Sequence, residues 1–378
     1  MSERTDRISP FLVMEILERA AELRLRGEEV ISLEVGEPDF PTPACIVEAG
    51  LEALQAGRTK YTSSLGLREL REAIAEHYRR TYGVTVSPEQ IVVTPGSSPA
   101  LLLTFAALLE RGDEVLLPDP GYACYPNFVR FVDGVPRPFP VQAAEGYDYD
   151  LDRLRAACTP RTRVLLVNSP ANPTGAVLPR ETLARLPELG LWIVSDEIYH
   201  GLVYEGRAHS ILEFTDRAFV LDGFSKRYAM TGWRLGYVIA PKEFVRALQK
   251  LAQNLFISAS EFVQLAALAG LRAAGSEVAR MVAEYDRRRR FLIPHLRELG
   301  LGVEREPTGA YYVLADARRF TTDSLRFARE LLERAKVAVT PGIDFGRNAE
   351  GYLRFSYANS LENIAEGLRR LGEYLSHR

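Results

Sequence analysis

The strongest constraint on the fold is an alternation of helical and extended patterns through the middle of the chain. From about residue 60, helix-like segments alternate with short apolar runs such as QIVVT, EVLLPD, RVLLVN, WIVSD and AFVLD. Short apolar runs between helices are typical of βα units, which build a parallel sheet covered by helices on both faces. The sequence therefore predicts an α/β fold with a mostly parallel sheet.

A further strand-like run, RLGYVIAP, begins about eight residues after the segment AFVLDGFSK. A connection between two parallel strands needs about a dozen residues or more, so we expect one antiparallel strand in this sheet. Beyond Pro241 the pattern stays helical for about fifty residues. A smaller α+β unit then follows, with the strand-like segments GAYYVLADA, VAVTPG and YLRFSYA.

Length and charge narrow the class of protein. The 378 residues exceed what one hydrophobic core usually serves, which predicts two domains. The net charge of −3 gives no reason to expect nucleic acid or an anionic membrane as a partner. The basic run Arg287–Arg290 lies beside Glu284 and Asp286 in a helical pattern. That pattern favours a solvated helix face over a nucleic-acid patch.

Cysteine content and the N-terminal sequence favour a cytoplasmic protein. Cys45, Cys124 and Cys158 are far apart and odd in number, so they predict neither a disulfide framework nor a metal cluster. The segment MSERTDRISPF has no apolar core of the kind that a signal peptide needs. The longest apolar run, in LLLTFAALLE, spans about nine residues and is too short to cross a bilayer. We therefore expect a soluble cytoplasmic protein without a metal centre.

Polar segments follow the predicted strands at the edge where such folds bind ligands. In a doubly wound sheet, this edge lies beyond the carboxyl ends of the strands. The segments are Gly96-Ser97-Ser98 at a helix start, Asp119 to Tyr122, Asn168 to Gly175, Asp196 to Tyr199, and Ser225-Lys226. Singly, each is more typical of a helix cap, a turn or a packing residue than of a binding site.

Together, the segments match the needs of one cofactor, pyridoxal 5′-phosphate (PLP). Backbone N–H groups and hydroxyls at a helix start can hold a phosphate. A lysine can bind the cofactor covalently, a carboxylate can keep its ring nitrogen protonated, and an aromatic side chain can stack on the ring. Gly96-Ser97-Ser98 is not a Walker loop, because the Gly-Lys-Ser/Thr ending is missing. No GxGxxG motif follows an early strand, which disfavours an NAD-dependent enzyme.

The motifs SPANPTG, SDEIY and SK…MTGWRLGY, in this order and spacing, resemble those of class I/II aminotransferases of PLP fold type I. The resemblance extends from SLEVGEPDFPTP to YLRFSYA and points to the prokaryotic-type subgroup of aspartate, aromatic and broad-range enzymes. It implies a large domain with a seven-stranded sheet, one strand antiparallel, and a smaller α+β domain. We expect an N-terminal arm with part of the small domain at residues 1–46, the large domain at 47–280, and the C-terminal small domain at 281–378.

The resemblance also implies the cofactor contacts. Lys226 matches the lysine that binds PLP covalently, Asp196 the partner of the ring nitrogen, and Arg234 a phosphate-binding arginine. The remaining implied contacts are Tyr122, stacked on the ring, Asn172 and Tyr199, at its phenolic oxygen, and Ser97, Ser98 and Ser225, at the phosphate. One departure is Gly223, because many relatives have a phosphate-binding serine three residues before the lysine.

Three further residues match substrate and subunit contacts of the family. Arg354 matches the arginine that grips the substrate α-carboxylate, a bidentate contact suited to a guanidinium. Gly36 matches the backbone that closes over the substrate. Asn172 is a further substrate-binding residue that the resemblance implies. Tyr61 matches a tyrosine that reaches the phosphate of the neighbouring subunit, which implies a homodimer.

The implied reaction is ping-pong transamination between an amino acid and a 2-oxo acid, with Lys226, Asp196 and Tyr199 as catalytic residues. Ser98 stands where some relatives that use dicarboxylates have a lysine, and the segments SPFLVM and GYACYPNF are apolar and aromatic. We therefore expect a neutral apolar or aromatic amino acid, with glutamate/2-oxoglutarate or alanine/pyruvate as exchange pair. The alternatives are an aspartate aminotransferase or a β-eliminating C–S lyase. A non-catalytic PLP-fold binding protein is a more distant one, because Lys226 is present and the fold begins by about residue 10.

Overall fold

The computed structural model describes residues 2–377, and twelve strands lie in this range. In chain order, the strands are β1 (Ile31–Ser32), β2 (Ile91–Thr94), β3 (Glu114–Asp119), β4 (Val135–Pro140), β5 (Thr162–Asn168), β6 (Trp192–Asp196), β7 (Ala218–Gly223), β8 (Gly236–Ile239), β9 (Tyr312–Asp316), β10 (Val337–Ala338), β11 (Thr340–Pro341) and β12 (Tyr352–Ser356).

Thirteen α-helices lie in the same range. They are α1 (Glu3–Asp6), α2 (Leu12–Leu25), α3 (Ala44–Gln55), α4 (Arg68–Tyr82), α5 (Ser97–Leu108), α6 (Tyr125–Phe131), α7 (Leu151–Ala157), α8 (Arg180–Arg185), α9 (Lys242–Leu255), α10 (Glu261–Ala273), α11 (Gly275–Glu298), α12 (Ser324–Glu330) and α13 (Leu361–Leu375). Among these helices, none combines the length and the apolar character that a membrane span requires.

Strands β2 to β8 form the large sheet, in the spatial order β2-β8-β7-β6-β5-β3-β4. Every neighbouring pair is parallel except β2–β8 and β7–β8, because β8 runs antiparallel to both of its neighbours. The predicted seven-stranded, mostly parallel sheet with one antiparallel strand is therefore confirmed. Residues 224–235, between β7 and β8, form turns and contain no helix that carries the chain across the sheet, which explains the reversal of direction.

Side chains alternate across the large sheet and divide its core into two layers. Val93, Leu165 and other side chains on one face pack with α3, α4 and α10. Val92, Leu166 and other side chains on the opposite face pack with α5 and α9. Burial on both faces accounts for the continuous apolar runs of these strands, because neither set of alternating positions faces water.

A smaller unit packs beyond the carboxyl edge of the large sheet. Its three-stranded antiparallel sheet has the order β11-β12-β9, and β1 pairs with β10 beside it. Helices α2, α11, α12 and α13 bury apolar side chains against these strands. The same core includes Ile198 and Tyr199, which follow β6 of the large sheet, so the two units share a packed boundary. The domain limits predicted above remain a prediction.

The edge strand β4, with the sequence VPRPFP, contains Pro136, Pro138 and Pro140 and pairs only with β3. Its proline-rich sequence lacks the apolar pattern by which the other strands were recognised.

The prediction of a solvated face for the run Arg287–Arg290 is wrong for two of its four residues. Arg288 and Arg289 are only 6% and 3% exposed. Arg289 donates to Asp286, Glu205 and the carbonyl of Pro307. Asp286 lies in the same helix, but Glu205 and Pro307 lie outside it, so the local pattern could not indicate that these two would offset the burial of charge.

Strand β8 begins against the first turn of α5, and this contact requires a glycine. A Cβ atom at Gly236 would lie 2.6 Å from the backbone nitrogen of Ser97 and 2.7 Å from the carbonyl carbon of Gly96. Both are backbone atoms, so neither can rotate away. Gly236 therefore sets how closely β8 approaches the start of α5.

We predict that Gly236→Ala lowers the free energy of unfolding by about 1–3 kcal/mol, because the new methyl group overpacks a backbone contact. Equilibrium urea unfolding measures the change. Gly232→Ala is the matched control, since a Cβ at Gly232 has no atom within 4 Å. It should change the stability by less than about 0.5 kcal/mol. Equal stabilities of the two variants would contradict the prediction.

Candidate active site

Lys226 lies in the turn after β7, and its amino group reaches the smaller unit. Its Nζ donates to the carbonyl oxygen of Gly36 at 2.5 Å. The hydroxyl of Tyr311 donates to the same carbonyl at 3.0 Å. The loop after β1 therefore lies directly over the end of β7, and the two predicted site residues Lys226 and Gly36 are in contact.

The pKa of Lys226 is lowered to about 8, from an ordinary value of 10.5. Burial is the main cause; Glu37 and Asp196 oppose the shift, while the charges of Arg354 and Arg234 add to it. Since the unfolded chain binds more protons here between about pH 8 and 10.5, the contribution of Lys226 to stability rises as the pH rises through this window. A lysine whose amine is partly neutral near pH 8 can act as a nucleophile and as a base.

Asp196, the last residue of β6, is held by two donors. The hydroxyl of Tyr125 donates to Asp196 Oδ2 at 2.7 Å, and the backbone N–H of Ile198 donates to Oδ1 at 3.2 Å. Burial raises the pKa of this carboxyl, while the two hydrogen bonds and the charge of Lys226 act in the opposite direction. The contacts leave lone pairs of the carboxylate for one further cationic N–H donor.

Arg354, in β12, connects the small unit to the turn after β5. It is 2% exposed. Its Nη1 donates to Asn172 Oδ1 at 2.9 Å, and its Nη2 donates to the carbonyl of Glu34 at 2.5 Å. Its Nε is buried without a partner, and no carboxylate hydrogen-bonds to the guanidinium. Burying a cation among neutral acceptors is costly, so this site favours an anionic ligand such as a carboxylate.

Two tyrosines complete this side of the site. The hydroxyls of Tyr199 and Tyr312 lie 2.8 Å apart in a hydrogen bond. The guanidinium of Arg354 lies 4.3 Å from the centre of the Tyr312 ring. Tyr199 is thus connected to Arg354 through Tyr312. Burial raises the pKa of Tyr199 well above its ordinary value, so the phenol remains a hydrogen-bond donor at neutral pH.

The start of α5 has the features of an anion site. Gly96 precedes the helix with φ of +107°, and no side chain caps the first turn, which contains Ser97 and Ser98. A Cβ at Gly96 would lie 2.6 Å from Nη2 of Arg234, so the glycine leaves room for this arginine beside the helix start. Uncapped N–H groups, two hydroxyls and a guanidinium form a donor set that suits a phosphate.

Two more predicted phosphate-end positions lie around Lys226. Ser225 is 8% exposed and directly precedes the lysine. A Cβ at Gly223 would lie 3.0 Å from the carbonyl oxygen of Leu235 and 3.1 Å from Cα of Gly236. The β7–β8 contact therefore leaves little space for the serine that many family members have at this position.

Tyr122 and Tyr61 differ in their surroundings. Tyr122 lies before α6, and its ring packs edge-to-face on Tyr125 and Phe11, with ring centres 5.2 and 5.8 Å apart. Tyr122 therefore packs on Tyr125, whose hydroxyl donates to the carboxylate of Asp196. Tyr61 is 81% exposed, so its own chain does not enclose its ring.

Sequence reasoning missed three residues that organise the site: Tyr125, Tyr312 and Asn168. Asn168 donates to the carbonyl of Asp196 at 3.0 Å and accepts from the N–H of Asn172 at 2.9 Å, which ties the turn after β5 to β6. Tyr125 and Tyr312 lie in aromatic segments that are equally typical of core packing. Of the three, only Asn168 could have been predicted as a site residue, because it ends a predicted strand at the edge where such folds bind ligands.

The donors at this edge fit one kind of ligand. A phosphate site, a carboxylate, an aromatic ring and a lysine of lowered pKa suit a phosphorylated pyridine aldehyde, as the sequence predicted. The seven-stranded sheet with this edge defines an enzyme of PLP fold type I. In residues 2–377 no cluster of three or more histidine, cysteine or acidic side chains could hold a metal ion.

Comparison with known proteins gives the family. The family described as "Aminotransferase class I and II" matches residues 28–371, and the chain belongs to this PLP-dependent family. A (5-formylfuran-3-yl)methyl phosphate transaminase of Methanocaldococcus jannaschii is 43% identical over 380 residues, covering 100% of both chains. An aspartate/prephenate aminotransferase of Thermus thermophilus is 42% identical over 385 residues, covering 99% of this chain and 98% of the relative.

The fold agrees with a solved structure of the same family. The aspartate aminotransferase from Thermus thermophilus with maleate superposes with a TM-score of 0.95 at 42% identity, covering 99% of each chain. The protein is therefore an aminotransferase of PLP fold type I, with PLP as its cofactor.

We predict that Lys226 in the cofactor-free protein reacts with an amine-specific reagent half-maximally near pH 8, because burial lowers its pKa to about that value. Pulse labelling at a series of pH values, followed by peptide mass spectrometry, measures this profile. The other lysines of the same digest provide the internal comparison. A Lys226 profile centred near pH 10.5, the ordinary lysine value, would contradict the prediction.

Proposed function

We propose that this enzyme exchanges the amino group of a neutral, apolar or aromatic amino acid with a 2-oxo acid. Glutamate/2-oxoglutarate or alanine/pyruvate is the proposed exchange pair. The observation that carries the proposal is the buried guanidinium of Arg354, whose hydrogen-bond acceptors are all neutral. Glu34 and Asp344 act on it electrostatically but do not hydrogen-bond to it through their carboxylates, so the guanidinium still favours an anionic ligand. Every amino acid and every 2-oxo acid carries an α-carboxylate, which is such a ligand.

Arg354 and Asn172 are the proposed substrate-binding residues. The guanidinium binds the α-carboxylate through charge-assisted hydrogen bonds, and Asn172 Oδ1, which accepts from Nη1 at 2.9 Å, fixes its orientation. The Gly36 backbone closes over the bound substrate from the opposite side. These contacts orient the substrate Cα–H bond toward Lys226.

Lys226 is the proposed general base and acid. When bound, PLP supplies an aldehyde carbon that holds the substrate nitrogen and a protonated ring that withdraws electrons from the substrate Cα. Nζ of Lys226 takes the proton from the substrate Cα and returns one during the second half of the exchange. A pKa of about 8 keeps part of the amine neutral near neutral pH, as a base requires.

Asp196 and Tyr199 are the residues proposed to interact with the pyridine ring of PLP. Asp196 holds a proton on the ring nitrogen, and the hydrogen bonds from Tyr125 and Ile198 favour its charged form. Tyr199 donates to the phenolic oxygen together with Asn172. Ser97, Ser98, Ser225 and Arg234 bind the phosphate, which holds the reacting atoms in place relative to Lys226.

The proposed preference for a neutral side chain rests on the surroundings of Tyr122. Phe11 covers the Tyr122 ring edge-to-face, and Ser98 provides no cation at the start of α5. The cavity beside Tyr122 is lined by Pro10, Leu12 and Pro126, where an apolar side chain gains free energy. Arg130 and Arg347 line the same cavity, and their guanidiniums are the groups with which a second carboxylate can pair. The names of the relatives from Thermus thermophilus favour a second candidate, an aspartate aminotransferase.

We predict that kcat/KM is at least about tenfold higher for phenylalanine or leucine than for aspartate, which corresponds to about 1.4 kcal/mol of transition-state binding. A panel of phenylalanine, leucine, alanine, glutamate and aspartate, each with saturating 2-oxoglutarate, measures the ratios. A separate reaction with a cysteine conjugate and no 2-oxo acid tests for β-elimination, which would release pyruvate. A tenfold preference for aspartate would reject the proposal in favour of the second candidate.

We further propose a homodimer in which Tyr61 completes the neighbouring site. Tyr61 is 81% exposed, and the exposed side chains of Leu255 and Ile257 lie on the segment that packs against its loop. The N–H of Thr62 donates to Ser258 Oγ at 3.3 Å, which joins these two segments. Large apolar side chains clustered at one surface favour burial against another protein surface.

We predict that a hybrid of one Tyr61→Phe subunit and one Lys226→Ala subunit keeps one fully working site. If Tyr61 acts across the interface, the site that retains Lys226 receives an unaltered Tyr61 from its partner. Tandem affinity tags isolate the hybrid, and PLP titration with steady-state assays measures its affinity and turnover. The Tyr61→Phe homodimer is the control. A hybrid with the weakened PLP affinity of that homodimer would show that Tyr61 acts within its own subunit.

A further inference from the structure

Arg288 is a buried cation at one of the boundaries between the small unit and the active-site loop. It is 6% exposed in the middle of α11. Its Nη1 donates to both carboxylate oxygens of Asp39, at 2.8 and 2.9 Å, and its Nε donates to Glu284 at 3.0 Å. Its guanidinium also lies 5.0 Å from the ring centre of Phe40. These contacts fix the segment Asp39-Phe40 against α11.

The same segment continues directly into the part of the loop that touches Lys226. Gly36 lies three residues before Asp39, and the buried Pro38 lies between them. Proline has a fixed φ, which limits the freedom of this connection. A displacement of Asp39 is therefore transmitted to Gly36, whose carbonyl accepts from Lys226 Nζ at 2.5 Å.

A second connection runs through aromatic rings. Tyr285, one turn before Arg288 on α11, packs on Phe40 with ring centres 5.3 Å apart and on Tyr311 with ring centres 5.4 Å apart. The hydroxyl of Tyr311 donates to the Gly36 carbonyl at 3.0 Å. Helix α11 thus holds this loop both near Asp39 and at Gly36.

We propose that Arg288 is a positioning residue for substrate binding. Through Asp39, it holds the Gly36 backbone at the place from which the loop closes over the substrate, with the carbonyl within reach of Lys226. This inference rests on the proposed function, in which Gly36 faces the substrate. Arg288 itself contacts none of the residues proposed to bind PLP or substrate; it acts through Asp39.

The test replaces the guanidinium in the PLP-loaded enzyme. Arg288→Gln raises the KM for the amino acid by about tenfold and changes kcat less than about twofold, because the loosened loop closes less favourably over the substrate. A variant that was merely less stable would lose active enzyme, which lowers the apparent kcat and leaves KM unchanged. Hydrogen exchange of residues 33–40 in the cofactor-free protein supplies a readout that does not depend on turnover, and it becomes faster in this variant.

Further variants identify which contact of Arg288 causes the rise in KM. Asp39→Asn reproduces the rise in KM, and the double variant shows no further rise, since both substitutions remove one interaction. Arg288→Lys keeps a cationic donor and restores part of the affinity. Arg290→Gln is the matched control: it also removes an arginine paired with an acid four residues earlier, at 2.9 Å, but this side chain is 68% exposed. Its KM and exchange rates stay at the wild-type values.

The outcomes separate this inference from the proposed function. If the wild-type enzyme is active and the Arg288→Gln variant has the same KM, the inference is overturned and the proposed function stays in place. Additive KM effects of Asp39→Asn and Arg288→Gln also overturn it, because they place the two residues in separate roles. A wild type without aminotransferase activity toward any amino acid overturns the proposed function, and this inference with it.

Discussion

Parallel pairing of β3, β5, β6 and β7 is the constraint on which the rest of this structure depends. Parallel strands end at the same edge of the sheet, so the residues after them meet whatever their separation in sequence. The edge brings Asn172, Asp196 and Lys226 together in this way. The antiparallel β8 then starts at this edge, which places Arg234 next to the start of α5. The small unit closes the edge from above with Gly36 and Arg354.

Cationic side chains are buried together at this edge, and their burial determines its chemistry. Arg354 is buried among neutral acceptors, and burial together with two arginine charges lowers the pKa of Lys226. Anions such as a phosphate and a carboxylate relieve both unfavourable effects. The free energy that the fold spends on isolating these cations is thus returned as affinity for anionic ligands.

The sequence predicted most of the fold because its buried strands are continuous apolar runs and its motifs follow them. It also named residues that the structure brings into contact, such as Lys226 with Gly36 and Arg354 with Asn172. It missed what depends on distant partners. The burial of Arg288 requires Asp39, some 250 residues away along the chain, and the hydrogen bond of Tyr125 requires Asp196. Helical periodicity and aromatic content describe only local surroundings, so they could not reveal either contact.

The prolines of β4 have a consequence for how this protein behaves in concentrated solution. Successive N–H groups of a strand point in opposite directions, and in β4 Pro136, Pro138 and Pro140 occupy alternate positions. The intervening residues pair with β3, so the outer margin of the sheet presents no N–H donors along this strand. At the other margin, the N–H of Val93 in β2 is taken by the carbonyl of Leu65. The prolines of β4 and the bonded N–H of Val93 in β2 thus reduce the donors that the two margins offer to a strand from another molecule, which disfavours growth of this open sheet by edge pairing.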